Sequence, residues 1–482
     1  MNAPWARCDR DHPSPATRPS DGLWAPHRRT LTLGLVLTIT LVAFEALAIS
    51  TVMPQVAREL GALENGLYGW AFTAFFLGSL VGIVVVGGAV DSRGLATPFL
   101  VGLGLFAVGL LLGGLAPTMP VLIAGRLLQG LGAGAIPPIA YVAIARSLPE
   151  SLRPRMFAML STAWVLPGVI GPAIAGIVGE HFGWRAVFLG LLPLIGLAGI
   201  VTLPAVRSVT AAPESVEAEA SASASLRRRI PLALIVAVGA GLVTAAMTSG
   251  EPILLATLVL PGLILGLAAL RRLTPRGTLV AARGMPAAIL LRGFATFAFF
   301  GVDAYVSLAL TERGLSLSQA GIALTAATIS WTAGSWIQAQ GSDRWPPGRF
   351  VRVGLLVVAG GIAAFAVVLA PAVSIWFAVP TFAIVGLGMG LSYAPLSLIV
   401  LREAPVGEQG SASSALSLSD VLGTALGTGL TGAIVAAGLR AGVDTLTGLV
   451  IGFVAAGTVA LCGFFLSTRL RPVADGRALA LR

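Results

Sequence analysis

Residues 122–188 read LIAGRLLQGLGAGAIPPIAYVAIARSLPESLRPRMFAMLSTAWVLPGVIGPAIAGIVGEHFGWRAVF. Two apolar runs flank a basic turn, Arg146 to Arg155, and the first run holds Arg126 with Gln129, Gly130 and Gly132. An arginine at mid-helix in lipid costs roughly 2.5–3.5 kcal/mol on insertion scales, so it persists where a partner or a watery cavity receives it. In the second run Gly168, Pro172 and Gly176 recur every four residues, with Gly171, Ala175 and Gly179 on a line beside them. Small residues at that spacing let a neighbouring helix approach closely. Pro172 removes a backbone donor and bends its helix. A buried cation beside a bendable, closely packed helix points to a membrane protein that changes shape.

Composition agrees. The hydrophobic share is 56% and only 11% of the 482 residues are charged, with a mean hydropathy of +0.91. So little charge cannot cover a soluble surface of this size, and the fold class expected is an all-α polytopic membrane protein. The net charge of +10 then speaks to topology, and no nucleic-acid partner is expected. Every basic side chain is an arginine. Cys8 and Cys462 lie at opposite ends of the chain and suggest neither a disulfide framework nor a metal site. No cofactor is expected. The first 29 residues lack the apolar core of a secretory signal and read as a disordered cytoplasmic tail.

A spanning helix needs about 20 apolar residues, and fourteen stretches qualify. Six span residues 30–206 and form an N-terminal bundle. Residues 207–285 hold central loops around two linker helices, 231–248 and 252–270, joined by the turn Ser249-Gly250-Glu251-Pro252. Six more lie within 286–468 as a C-terminal bundle, and 469–482 form a second cytoplasmic tail. The linker hairpin has no ionisable residue within its spans and is expected to be peripheral. Arginine placement tests this map: with both termini on one side, 26 arginines collect there and 4 on the other, with Arg126 in the membrane. Positive residues stay cytoplasmic, so both termini should be inside a cell membrane crossed many times.

The chain also repeats itself. Gly130-Leu131-Gly132-Ala133-Gly134 recurs as Gly386-Leu387-Gly388-Met389-Gly390, 256 residues later. Each run leads into proline, Pro137-Pro138 or Pro395. Asp91 and Asp343 follow the second span of each half, 252 residues apart. Two six-helix halves with a midplane site at their interface are a transporter signature.

Four motifs make a resemblance specific. Gly87, Asp91 and Gly94 meet a G-x-x-x-D-x-x-G loop pattern, although its usual basic positions are Ser92, Leu95 and Ala96 here. Arg126, Gln129, Gly130 and Gly132 meet R-x-x-Q-G-x-G in full. Gly171, Pro172 and Gly176 meet G-P-x-x-G-G with Ala175 in place of one glycine. Trp184, Arg185 and Phe188 meet W-R-x-x-F. In these the chain resembles the major facilitator superfamily, in particular its fourteen-helix drug:proton antiporter branch. Residues 45–188 carry the motifs, and the second half matches by layout and repeat. The resemblance implies two six-helix bundles plus a two-helix linker. It also implies that Glu45, nine residues before Pro54, stands where the family carries an acidic residue in its first helix. The G-P motif is implied to govern alternating motion.

Ionisable residues in spans are the first candidates for a site. Glu45, Arg126, Asp303 and Asp420 are expected there, the first three at one depth at 1.5 Å rise per residue. Each has a plainer reading as a structural helix–helix contact. Carboxylates in lipid default to function. Asp303 has Phe299 and Ser307 on its own face; Asp420, beside Ser417 and Ser419, is expected near an entrance. Gln129, Tyr141, Trp164 and Tyr305 are further candidates to line a cavity, though aromatics in such helices are as often packing residues. Asp91 and Asp343 are expected to lock one conformation by pairing with helix ends, or simply to cap turns. His181 is expected in an external loop.

Two function classes follow. The first is a proton-coupled exporter of small lipophilic or cationic molecules, a monomer working by alternating access, with small-molecule substrate, protons and the lipid bilayer as its partners. Desolvation favours a neutral Glu45, and Arg126 favours the ionised form, so a competing substrate can tip the balance. Export of lipids or natural-product metabolites is the alternative within transporters. The second class, a membrane-embedded lipid-modifying enzyme, wants clustered His, Cys or carboxylates at a membrane face, which the sequence lacks. No G-x-x-x-x-G-K-[ST] loop exists and no lysine could complete one, so ATP is not the direct energy source.

Overall fold

Local signals set the helix ends. Gly61 takes the left-handed conformation (φ 63°) and its N–H closes on Ala57 O, ending the first helix. Prolines open others at their first turn, as at Pro252, Pro286 and Pro347. Ser316 and Gln319 form a reciprocal cap at the start of the tenth. The computed structural model describes residues 22–26, 28–63, 66–149, 152–209, 216–405 and 409–470. Among these, fourteen long helices run in order: α1 (Arg29–Leu60), α2 (Tyr68–Arg93), α3 (Ala96–Gly114), α4 (Met119–Ser147), α5 (Arg153–Phe182), α6 (Trp184–Arg207), α7 (Val216–Ser249), α8 (Pro252–Leu273), α9 (Met285–Glu312), α10 (Leu317–Gly341), α11 (Pro347–Val368), α12 (Ala378–Glu403), α13 (Gln409–Arg440) and α14 (Thr445–Leu466). No strand occurs among the described residues. With an even helix count, the start of α1 and the end of α14 lie at one end of the bundle. This is the basic end; the other is the distal end.

Thirteen of the helices are long and apolar enough to cross a membrane. The exception is α10, and its polar side chains have backbone partners. Thr325 Oγ1 donates to Val169 O (3.1 Å) and Ser330 Oγ to Ala383 O (2.6 Å). A helix packed on neighbours can carry hydroxyls that hydropathy reads as unfavourable.

The glycine repeat is the joinery of each half. A Cβ on Gly130 or Gly134 would run into the carbonyls of Phe75 and Ser79 on α2, and one on Gly132 would meet Gly102 and Phe106 on α3. In α12, Gly386 and Gly390 press on Ala327 O and Trp331 O of α10, and Gly388 lies where a Cβ would be 2.7 Å from Val358 N of α11. The alternate glycines thus seat two neighbours on opposite faces of one helix, identically in both halves. Without a hydrophobic force between helices in lipid, such close backbone packing supplies the cohesion. The remaining contacts repeat as well: α1 on α5 and α6, α9 on α13 and α14.

The halves meet along α1–α9, α2–α13 and α5–α10. The linker hairpin divides in two. Most of α8 faces outward, whereas α7 packs on both α2 and α13. Ala233, Val236 and Ala240 of α7 join Leu77 and Leu80 of α2 and Leu418 and Leu422 of α13 in one apolar cluster. The peripheral hairpin expected from composition is therefore true of α8 and not of α7. The loop expected over 207–229 is also partly helical, because α7 begins at Val216.

Candidate functional site

In α1 and α4, three polar side chains converge. Arg126 Nη1 donates to Glu45 Oε1 and to Gln129 Oε1 (3.2 Å), and its Nε donates to Ala71 O of α2 (3.0 Å). Gln129 Nε2 donates to the same Glu45 Oε1 (3.1 Å). The Phe75 ring lies under the guanidinium, 4.3 Å from its carbon. Glu45 and Gln129 are 0% exposed and Arg126 is 2%. Spacing explains half of this: Arg126 and Gln129, three apart, share a helix face. One carboxylate oxygen is thus held by two donors, while Glu45 Oε2 is buried with no hydrogen-bond partner among the described residues. That oxygen lies beside the fixed charge of Arg126 with no donor of its own.

Removing one member of a buried pair strands the other, at about 3–5 kcal/mol, while replacing both with apolar groups is often neutral. Arg126→Leu is therefore expected to lower stability by about that amount, and a second change, Glu45→Leu, to restore most of it. Unfolding midpoints of the three proteins in detergent check this. A double variant no steadier than Arg126→Leu would overturn the electrostatic account.

Asp303 stands outside this set of bonds. It is buried in α9 (8% exposed), and no hydrogen bond or ion pair among the described residues joins it to Glu45 or Arg126. Ser307, one turn on, is also buried with an unpartnered hydroxyl. Phe299 and Phe300 flank Asp303 and both pack on Trp331 of α10.

Asp420, its side chain 23% exposed, is held in an ion pair. It accepts from Arg292 Nε (3.1 Å) and from the Tyr393 hydroxyl (2.8 Å), and Arg292 Nη1 reaches Tyr393 O at 2.6 Å. The sequence map had counted Arg292 among the basic-side arginines. It is 5% exposed, two turns inside α9. A signal was available: Arg292, Thr296, Phe299, Asp303 and Ser307 follow each other at three- and four-residue steps, which sets them on one face.

The other aromatics separate. Tyr305 is 0% exposed, its ring against Tyr68 and its hydroxyl donating to Thr428 O at 2.7 Å, so it packs rather than lines a cavity. Tyr141 and Trp164, at 51% and 47% exposed, stand on the basic-end halves of α4 and α5. His181 is not in a loop; it lies in the last turn of α5, with Nδ1 2.9 Å from Ile177 O. Trp184 donates to Glu59 of α1 (2.5 Å), as does Arg185, and this ties the distal ends of α6 and α1 together.

The two small-residue lines of α5 serve two neighbours. Gly168, Pro172 and Gly176 face α10, against Thr328, Gly321 and Ser318. Gly171 and Gly179 face α1, and there a Cβ on Gly171 would stand an ordinary 3.6 Å from Phe44. Gly168 is tightest against a side chain, 2.0 Å from Thr328 Cγ2, and Gly176 is the tight point against backbone, where a Cβ would sit 2.7 Å from Ser318 Cα. Beyond it, Glu180 accepts from Ser318 N (2.7 Å) and Ser318 Oγ (3.3 Å). These contacts close the α5–α10 seam over 168–180 and 317–328, its distal half. At the basic end, Gly94 ends α2 with φ 69°, and Asp343 is exposed with no ion pair among the described residues. The side chain of Asp91 lies outside the described residues.

The family model for the Major Facilitator Superfamily matches residues 35–428. The chain belongs to the Major Facilitator Superfamily. Among curated proteins it is similar to Multidrug resistance protein 3 of Bacillus subtilis (strain 168), 31% identical over 166 residues, or 34% of this chain and 32% of that one. It is similar also to Azole resistance protein 1 of Saccharomyces cerevisiae, 30% identical over 166 residues, covering 34% of this chain and 27% of that one. An Acurin A biosynthesis cluster MFS-type transporter of Aspergillus aculeatus is 34% identical over 168 residues, 34% of this chain and 30% of its own. The chain spans about a third or less of the length of these relatives. Among solved structures, a D-xylose-proton symporter superposes with a TM-score of 0.65 at 14% identity, over 92% of this chain and 98% of that one. An auto-inhibited POT family peptide transporter gives 0.68 at 17%, over 93% and 98%. At these identities the likeness is one of fold.

Proposed function

We propose that this superfamily member is a secondary transporter that exports small lipophilic or cationic molecules in exchange for protons, by alternating access. The observation that carries the reading is the buried Glu45–Arg126–Gln129 cluster with its one unpartnered carboxylate oxygen. The basic end is the cytoplasmic one, since 25 arginines collect there against 4 once Arg292 joins Arg126 inside the membrane. With the distal half of the α5–α10 seam closed, this is the inward-facing form. Substrate enters from the cytoplasm between the halves, past Tyr141 and Trp164. The halves then rock, the distal seam parts, and Glu45 gains access to external protons. One proton falling through 100 mV releases about 2.3 kcal/mol, enough to sustain a gradient of several tens-fold.

Relatives named for multidrug and azole resistance support the substrate class, and the acurin-cluster relative favours natural-product export as the second reading. Superfamily membership speaks against the lipid-modifying enzyme. The protein is expected to act as a monomer in the cell membrane. The test is purified protein in vesicles with an internal pH dye, challenged with a panel of dyes and cationic biocides. Substrate-driven proton movement that is absent from protein-free vesicles is the expected result. Substrate flux that is indifferent to an imposed pH gradient would overturn the proton coupling.

A further inference from the structure

At the basic end of the N-terminal half, α1, α4 and α6 end around a cleft of about 480 Å³, within the size range of small-ligand sites. Its polar lining comes from three helices: Arg28 and Thr30 at the start of α1, Arg146 and Ser147 at the end of α4, and Ser208 at the end of α6. Among the described residues, none that lines it is acidic. The α1 end presents the positive pole of its helix dipole, which favours an anion. The α4 and α6 ends would oppose one through their last carbonyls, but several of these already have donors. Arg153 donates to Leu148 O (3.0 Å) and Ala145 O (2.9 Å), and Ser208 N donates to Pro204 O (3.1 Å). The Ser147 hydroxyl, by contrast, is buried with no hydrogen-bond partner among the described residues. Two guanidiniums, a helix start and an unsatisfied hydroxyl around one cleft are the chemistry of a phosphate site.

The cleft lies at the ends of membrane-crossing helices, level with the lipid headgroups. Exposed Arg29 and Arg207 extend its basic rim. Basic pockets between helices at this level take up anionic headgroups. We propose that the cleft binds the phosphate of an anionic phospholipid from the leaflet at the basic end, and so ties the N-terminal half to that leaflet. The proposal is independent of which compound is carried and of whether protons drive it.

The full-length protein in a neutral detergent would be titrated with phosphatidylglycerol or phosphatidylcholine and read by native mass spectrometry. The wild type should retain phosphatidylglycerol in preference to phosphatidylcholine. Arg28→Gln/Arg146→Gln should weaken phosphatidylglycerol binding about 30-fold, from two basic side chains at about 1 kcal/mol each. Arg29→Gln/Arg207→Gln removes the same charge outside the cleft and should have a smaller effect. Ser208→Glu, at an exposed position, puts a carboxylate on the rim and should abolish binding without touching the bundle. Equal losses from the two double variants would reduce the effect to general attraction and overturn the site. So would a wild type without headgroup preference. Displacement of the lipid by inorganic phosphate at matching concentration would show free phosphate to be the ligand and overturn the lipid assignment.

Discussion

Glu45→Gln is expected to insert and fold, and to lose proton coupling. The amide keeps an oxygen where Oε1 accepts from Arg126 and Gln129, so the local hydrogen bonds persist. It has no proton to exchange at the position of the unpartnered Oε2. The amide also leaves Arg126 without its counter-charge, so some loss of stability is part of the expectation, held below that of Arg126→Leu by the acceptor it keeps. Substrate-driven proton release in vesicles should fall to background. The gradient sustained at 100 mV should drop by up to about 50-fold, the equivalent of one proton. Downhill exchange of a neutral substrate should survive. Asp303 is the rival: buried, without a partner among the described residues, on the helix of the second half that corresponds to α1. Asp303→Asn belongs in the same assay. Normal release from Glu45→Gln together with none from Asp303→Asn would move the proton site to α9.

Gly176→Leu is expected to halt turnover while leaving both halves folded. The added side chain meets backbone, Ser318 Cα and N, at 2.7 and 2.8 Å from its Cβ, and backbone cannot rotate away. Overpacking of this kind costs roughly 1–3 kcal/mol, which lowers the population of the distally closed form by a factor of about 5–150. The clash lies between halves, so the interior of each is spared. Glu180 would also be lifted from Ser318. Transport in vesicles should fall in proportion, and a cysteine placed at the distal end of the seam should label faster. Gly171→Ala, which faces α1 with room for a methyl, should stay near native rates. If Gly176→Leu transports normally, the seam is not part of the cycle.

Much of this architecture was legible in the sequence, for identifiable reasons. Spans are written in hydropathy because lipid tolerates little else, and the two halves in glycine runs because no other residue lets carbonyls come so close. The α1–α4 cluster was legible because Arg126 and Glu45 are each improbable alone in lipid. The misses have physical reasons too. Arg292 sits near enough to a helix start to pass for a loop residue; its burial depends on Asp420 and Tyr393, which come from helices more than 100 positions away. His181 was read as loop because polarity ends a hydropathy window, while the helix itself runs on to Phe182, before Gly183. Spacing showed that α5 has two small-residue lines, but not which of them α10 would choose. That choice is tertiary. Likewise nothing in the composition of 231–248 separates a lipid-facing helix from one wedged against α2 and α13.

That wedge has a consequence for lipophilic compounds dissolved in the bilayer. The two seams between the halves, α2–α13 and α5–α10, exchange places under the internal two-fold relation, and by symmetry each would offer a side door from the leaflet to the central space. Helix α7 bars one of them, its Ala233 and Val236 packed across Leu80 and Leu418 at the basic-end side. Among the described residues, the α5–α10 seam has no such cover. On the proposed function, a molecule drawn from the membrane is then expected to approach along α5 and α10, past the exposed Trp164 and Trp336, rather than past the hairpin.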